Sequence, residues 1–144
     1  MQLDDLYRQV IMDHYQHPRN QGLSGDGMIS IDLRNPSCGD EITLQLKVED
    51  GVVEDVRFKG TGCSISMASA SMMSEAIKGR PVDEALRLGN TFRAMMRGEE
   101  ADSGELGDLE ALQGVSKFPA RIKCATLAWQ ALDRATHHEV KTDS

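Results

Sequence analysis

The sequence predicts an α+β fold in which a three-stranded antiparallel sheet carries its helices on one face. Three observations point there. Between Met28 and Lys59 the apolar residues fall into runs with period two, the pattern of strands with one wet face. Asp50-Gly51 separates the last two runs and has the chemistry of a tight hairpin turn. Before and after this region the apolar spacing lengthens to that of helices.

Leu3, Leu6, Tyr7, Val10, Ile11 and His14 define an opening amphipathic helix, which His17-Pro18 and the following Arg19-Asn20-Gln21-Gly22 end. Ile29, Ile31 and Leu33 form the first strand, closed by Asn35-Pro36. Ile42, Leu44, Leu46 and Val48 alternate with polar residues in the second. In the third, Val56 and Phe58 oppose Arg57 and Lys59, while Glu54 interrupts the apolar face and leaves the register least fixed near the turn. Ser64 to Lys78, rich in Ala, Met and Ser, reads as a long helix ended by Gly79. Pro81 suits the first turn of another helix ending near Gly89-Asn90, and Thr91 caps a short one through Met96, ended by Gly98. Residues 99–116 are acidic and glycine-rich and read as a surface loop or insertion with a short helical piece, more solvated than packed. The last helix begins near Pro119, presents Ile122, Ala125, Trp129 and Leu132 on one face, and is expected to fray after His137.

At 144 residues the chain can bury a core without disulfide staples, and no repeat or linker divides it, so one domain over 1–144 is expected. Its net charge of −7 excludes a phosphate-binding surface and hence a nucleic-acid partner. No apolar run reaches the roughly 20 residues of a membrane span, and acids follow Met1 where a secretory signal would carry basic residues. A cytoplasmic setting is expected. There thiols stay reduced, so three cysteines point to metal binding or catalysis and not to a disulfide framework.

Each cysteine falls at an element boundary: Cys38 in the loop between the first two strands, Cys63 where strand becomes helix, Cys124 near the start of the last helix. Such positions leave a sulfur accessible, and none reads as core filler. Zinc takes four tetrahedral ligands, and Asp40, two residues beyond Cys38 across the small Gly39, is the natural fourth donor. The donors are far apart in sequence, with no Cys-x-x-Cys knuckle, so spacing alone does not bring them together.

Asn35-Pro36-Ser37-Cys38-Gly39-Asp40, Gly60-Thr61-Gly62-Cys63-Ser64-Ile65-Ser66 and Ala120-Arg121-Ile122-Lys123-Cys124-Ala125-Thr126-Leu127-Ala128-Trp129 resemble the three cysteine motifs of the IscU/NifU N-terminal family. The resemblance runs from the opening helix, with Tyr15, Pro18, Arg19 and Asn20, to Trp129. In the family's scaffold branch a histidine precedes the third cysteine; here that residue is Lys123, and the acidic stretch before Lys117 lengthens the chain between Cys63 and Cys124, as in the SufU branch. The resemblance implies zinc held by Cys38, Asp40, Cys63 and Cys124. It also implies sulfur transfer from a SufS-type pyridoxal-phosphate cysteine desulfurase, with downstream Suf scaffold proteins as further partners. In that reading Cys38 accepts the sulfur and Arg121 assists. The alternative is a scaffold that holds iron or a nascent iron–sulfur cluster on the same ligands. A purely structural zinc site would also use them.

The remaining candidates read as structural. His14 and His17 end an amphipathic helix, and His137-His138 lies in the tail, so surface or core roles outrank metal binding. The methionines of Met67–Met73 and Met95-Met96 read as core filler, and Lys123, like Arg121, either solvates the last helix or meets an acidic partner.

Overall fold

The structure, a computed structural model, describes residues 3–23, 28–35, 39–99 and 106–143, with side chains described from Arg8 to Thr136 within those ranges. The elements are α1 (Leu3–Gln16), β1 (Ile29–Asn35), β2 (Asp40–Glu49), β3 (Val52–Thr61), α2 (Ser64–Ile77), α3 (Val82–Met96), a 3-10 helix (Gly107–Lys117) and α4 (Pro119–Asp143). The strands form one antiparallel sheet in the order β1-β2-β3. Register pairs Ile31 with Leu44 and Leu44 with Phe58, and likewise Ile29 with Leu46 and Leu46 with Val56. One sheet face is therefore apolar, and α2 and α4 cover it. On the other face Arg34 meets Glu41 at 2.6 Å and Thr43 donates to Asp32. Among the described residues no helix is long and apolar enough to cross a membrane.

The hairpin turns through Asp50 and Gly51, both with positive φ (54° and 76°), the left-handed pair that a tight antiparallel turn requires. Beside it the register shifts between Lys47 and Val48, pairing Val48 with Val53 and Lys47 with Asp55. This bulge resolves the interruption at Glu54: the strand slips by one residue, Val53 turns into the core and Glu54 out to solvent. The next residue, Asp55, sits between Arg57 and Lys78. Partial burial pushes its carboxyl up, but the hydrogen bond from Arg57, the Val56 N–H and Lys78 outweigh that and leave it below the usual carboxylate range.

Three expectations need correction. The helix from Pro81 does not stop at Gly89-Asn90; α3 continues unbroken to Met96. A mid-helix glycine costs only about 1 kcal/mol against alanine, and here it makes room for Trp129, which is 1% exposed and stacks on Phe92 with ring centroids 5.6 Å apart. Burying that indole outweighs the propensity cost. The second correction concerns the acidic stretch. Residues 100–105 lie outside the described residues, but 107–117 form a packed 3-10 helix with Leu106, Leu109 and Leu112 fully buried. Its acids and glycines are spaced so that every third residue is apolar, which suits three residues per turn. Finally, α4 remains helical to Asp143, past the expected fraying point at His137. Met95 and Met96 are core residues, as their sequence context suggests.

A Cβ at Gly89 would stand 2.9 Å from Cε3 of Trp129. Gly89→Ala is therefore expected to destabilise the protein by about 1–2 kcal/mol, overpacking exceeding the gain in propensity. Gly114→Ala, where a Cβ meets nothing within 4 Å, is the control and leaves the urea midpoint unchanged or raised. An unchanged or raised midpoint for Gly89→Ala would contradict this packing.

Candidate metal centre

Asp40 opens β2 and pairs with Asn35, the last residue of β1. The connection closes through Gly39, whose φ is +74° and whose N–H donates to the Asn35 carbonyl at 2.9 Å. On the other side of β2, Glu41 pairs with Thr61, so continuing the ladder by one residue sets Gly62 against Asp40. A side chain at Gly62 would overlap the Asp40 carboxyl group, which is why this approach needs glycine. Cys63 follows as the N-cap of α2, and its side chain makes no capping bond to its own helix. The sulfur is left to face Asp40.

Hydrogen bonds fix the carboxyl group. Oδ1 accepts the Cys63 N–H at 2.9 Å and Oδ2 accepts the Ser66 hydroxyl at 2.5 Å. Ser66 Oγ also lies 3.2 Å from the Cys124 carbonyl, and one turn on Ser69 donates to the Ala125 carbonyl at 2.6 Å. These two serines tie α2 to α4 where Cys124 enters. Its Sγ lies 3.9 Å from the Ala120 carbonyl one turn earlier.

The result is a three-donor cluster: a carboxylate oxygen of Asp40 and the sulfurs of Cys63 and Cys124 all lie within 4.8 Å of one another. Cys63 Sγ is 3.8 Å from Asp40 Oδ2. Tetrahedral zinc, with bonds of about 2.3 Å to sulfur and about 2.0 Å to oxygen, would separate such donors by roughly 3.5 Å. The donor set and its spacing therefore fit zinc with little rearrangement. Asp40 and Cys124 are each 1% exposed, while Cys63 is half-buried. The expectation that all boundary sulfurs are accessible needs correction for Cys124, which sits on the packed face of α4. Cys38 lies outside the described residues. Arg121 is exposed on the first turn of α4, and its side chain makes no hydrogen bond or ion pair among the described residues.

A second group joins His14, Glu75 and Asp108, again with potential ligand atoms within 4.8 Å. It is built as a clasp. His14 is fully buried, with Nδ1 2.8 Å from Ser71 Oγ and Nε2 2.9 Å from Asp108 Oδ2. Ser71 Oγ also accepts the Arg19 N–H at 2.9 Å, and the Arg19 guanidinium sits 3.8 Å from Glu75. Arg19 also hydrogen-bonds Asp13 at 2.6 Å and so holds that carboxyl below the usual carboxylate range. The Arg19 guanidinium already supplies positive charge beside Glu75, and the imidazole is a core residue joining α1, α2 and the 3-10 helix.

Sequence reasoning gave Ser66 no role. It lies three residues after Cys63 in the same motif, and that helical spacing is the signal that would have found it.

The chain belongs to the NifU-like N terminal domain family, which residues 6–136 match. It is 58% identical over 138 residues to the zinc-dependent sulfurtransferase SufU of Bacillus subtilis (strain 168), covering 95% of this chain and 93% of that protein. It is 47% identical over 134 residues to the iron–sulfur cluster assembly scaffold protein IscU of Streptococcus pyogenes serotype M1, covering 92% of this chain and 84% of that one. Among solved structures, the crystal structure of a hypothetical protein superposes with a TM-score of 0.85 at 47% identity, covering 92% of this chain and 97% of that one.

Ser66→Ala removes a hydroxyl donor from the buried Asp40 carboxyl group and should cost the metal-free protein about 1–3 kcal/mol. Urea denaturation in the presence of a chelator measures it. A midpoint equal to that of the parent would show that the hydroxyl does not support Asp40.

Proposed function

We propose that the chain is a zinc-dependent sulfurtransferase that accepts persulfide sulfur from a SufS-type pyridoxal-phosphate cysteine desulfurase for iron–sulfur cluster assembly in the cytoplasm. The observation that carries this reading is the convergence of Asp40, Cys63 and Cys124 from three separate elements. The 58% identity to a protein named a zinc-dependent sulfurtransferase supports it. Lys123, where the scaffold branch carries histidine, keeps an imidazole out of that position and favours transfer over cluster assembly.

Asp40, Cys63 and Cys124 would hold the zinc, with Cys38 as the fourth donor. Cys38 is two residues from Asp40, a span of at most about 7 Å of chain. Bound zinc supplies Lewis-acid stabilisation of thiolates without redox chemistry. The rest falls to the protein's own groups. Ser66 and the Cys63 N–H orient the Asp40 carboxylate. The Cys38 thiolate attacks the outer sulfur of the donor's persulfide, a new S–S bond forms on Cys38, the donor's S–S bond breaks, and the donor cysteine leaves as a thiolate. The exchange is redox-neutral. Arg121, exposed on the first turn of α4 three residues before Cys124, would offer positive charge to the anionic sulfur. Cys38 suits the acceptor role because its neighbours Ser37 and Gly39 are small and it belongs to a connection between strands, whereas Cys63 and Cys124 are anchored on helices.

Desulfurase turnover with and without this chain tests the function: a large acceleration is expected, and none would contradict transfer and favour the scaffold. Zinc should be present at one equivalent per chain by elemental analysis, and its removal should lower the melting temperature, because a ligand bound only by the folded state stabilises it. Full retention of zinc by a Cys63→Ala plus Cys124→Ala variant, or coincident melting curves for loaded and stripped protein, would count against the site. After incubation with desulfurase and cysteine, thiol blocking and peptide mass spectrometry should find the added sulfur on the Cys38 peptide. An early persulfide on the Cys63 or Cys124 peptide would overturn that assignment.

A further inference from the structure

Phe118 is the most exposed large apolar side chain among the described residues, at 61%, and it stands between the 3-10 helix and α4. Its backbone is held at both ends. The Phe118 N–H donates to the Val115 carbonyl at 2.9 Å, and its own carbonyl accepts the N–H groups of Arg121 and Ile122 at 2.8 and 3.2 Å. An aromatic ring on a fixed backbone loses little freedom on being covered, which is the property of an interface anchor. Six residues on, about 9 Å along the helix, is Cys124 of the donor cluster.

Charge marks the same edge. Among the described residues, eight arginines and lysines lie within 4.0 Å of a carboxylate. Lys117, Arg121 and Lys123 are exposed and pair with no carboxylate among the described residues. In a chain of net charge −7, cations without a carboxylate partner that lie within five residues of one exposed aromatic are available to acids from outside. These side chains stand on the segment that leads into Cys124, so a donor approaching the cluster from the start of α4 meets them.

We propose that Lys117, Phe118 and Lys123 form a docking edge that seats the persulfide donor, a partner presenting an apolar pocket ringed by acidic side chains beside its reactive cysteine. This rests on the sulfurtransferase reading and names how that site recognises its donor. Phe118 fills the pocket, the two lysines meet the acidic ring, and the α4 end carrying Cys124 is brought against the donor. The three residues act in binding and take no part in the transfer itself.

The test is a titration of zinc-loaded chain into cysteine desulfurase with cysteine, following alanine release at low and high ionic strength, with calorimetric binding alongside. Phe118→Ser is expected to raise the half-saturating concentration and the Kd roughly tenfold or more, with maximal rate and zinc content unchanged, and Phe118→Trp to retain most of the affinity. The Lys117→Glu plus Lys123→Glu variant is expected to weaken binding as strongly at low salt and to flatten the salt dependence. If Phe118→Ser melts early, the charge-reversal variant carries the same test. Parental half-saturation and Kd in both variants, with the parent accelerating turnover, would overturn the docking edge and leave the sulfurtransferase reading intact. A parent that neither binds nor accelerates the desulfurase would overturn both.

Discussion

The Asp40 carboxyl group is the point on which the rest of the site depends. It is buried at the start of β2, where it accepts the backbone N–H of Cys63 and the hydroxyl of Ser66. A carboxyl group in that position is costly unless its oxygens are satisfied, so its partners are required by solvation as much as by function. Those partners set the junction of β3 with α2. Gly62 must stay small to let the carboxyl group in, and Cys63 is delivered to the cluster as a consequence. Ser66 passes the constraint on to α4 by standing against the Cys124 carbonyl. Sheet, α2 and α4 thus meet at one hydrogen-bonded corner, and the sulfurs come together because that corner closes.

A second polar junction organises the middle of α2. Ser71 receives the Arg19 N–H and touches the buried His14 ring, and His14 reaches Asp108 at the start of the 3-10 helix. Leu109 and Leu112 pack beneath. The stretch between α3 and α4 is therefore anchored by both apolar and polar contacts. Since it leads through Lys117 and Phe118 into the helix carrying Cys124, anchoring it also fixes how that helix end is displayed. Fold and site share α2 as their common support: its N-terminal serine serves the cysteines, and its middle serine serves the histidine clasp.

Much of this was legible in the sequence, and the failures have physical causes. Period-two runs and Asp50-Gly51 located the sheet and hairpin because one face is apolar and the turn needs positive φ. Glu54 signalled trouble near the turn, but only the ladder reveals that a bulge moves it outward. Gly89 looked like a helix end because local propensity says so; Trp129, forty residues on, decides otherwise, and no local pattern carries that contact. Leu106, Leu109 and Leu112 were hidden by the surrounding acids and glycines, since a three-residue apolar period is easily read as loop composition. For the centre, residue type and family motifs singled out Asp40, Cys63 and Cys124, while their closeness and the burial of Cys124 required tertiary packing. Ser66 went unassigned because serine near a helix start is usually only a cap or a surface hydroxyl.

The chemistry proposed here asks little of the fold beyond this corner. Cys63, Cys124 and the oriented Asp40 carboxylate form a partial shell, which in the proposed mechanism the acceptor Cys38 would complete and leave. The division explains why one carboxylate should accompany three thiols: the hydrogen-bonded Asp40 can stay in place while a sulfur departs. Zinc K-edge X-ray absorption of the purified protein tests that claim most directly. The account predicts about three sulfur scatterers near 2.3 Å and one oxygen near 2.0 Å, with the oxygen contribution lost in Asp40→Ala; imidazole scattering, or a parent shell of sulfur alone, would contradict it.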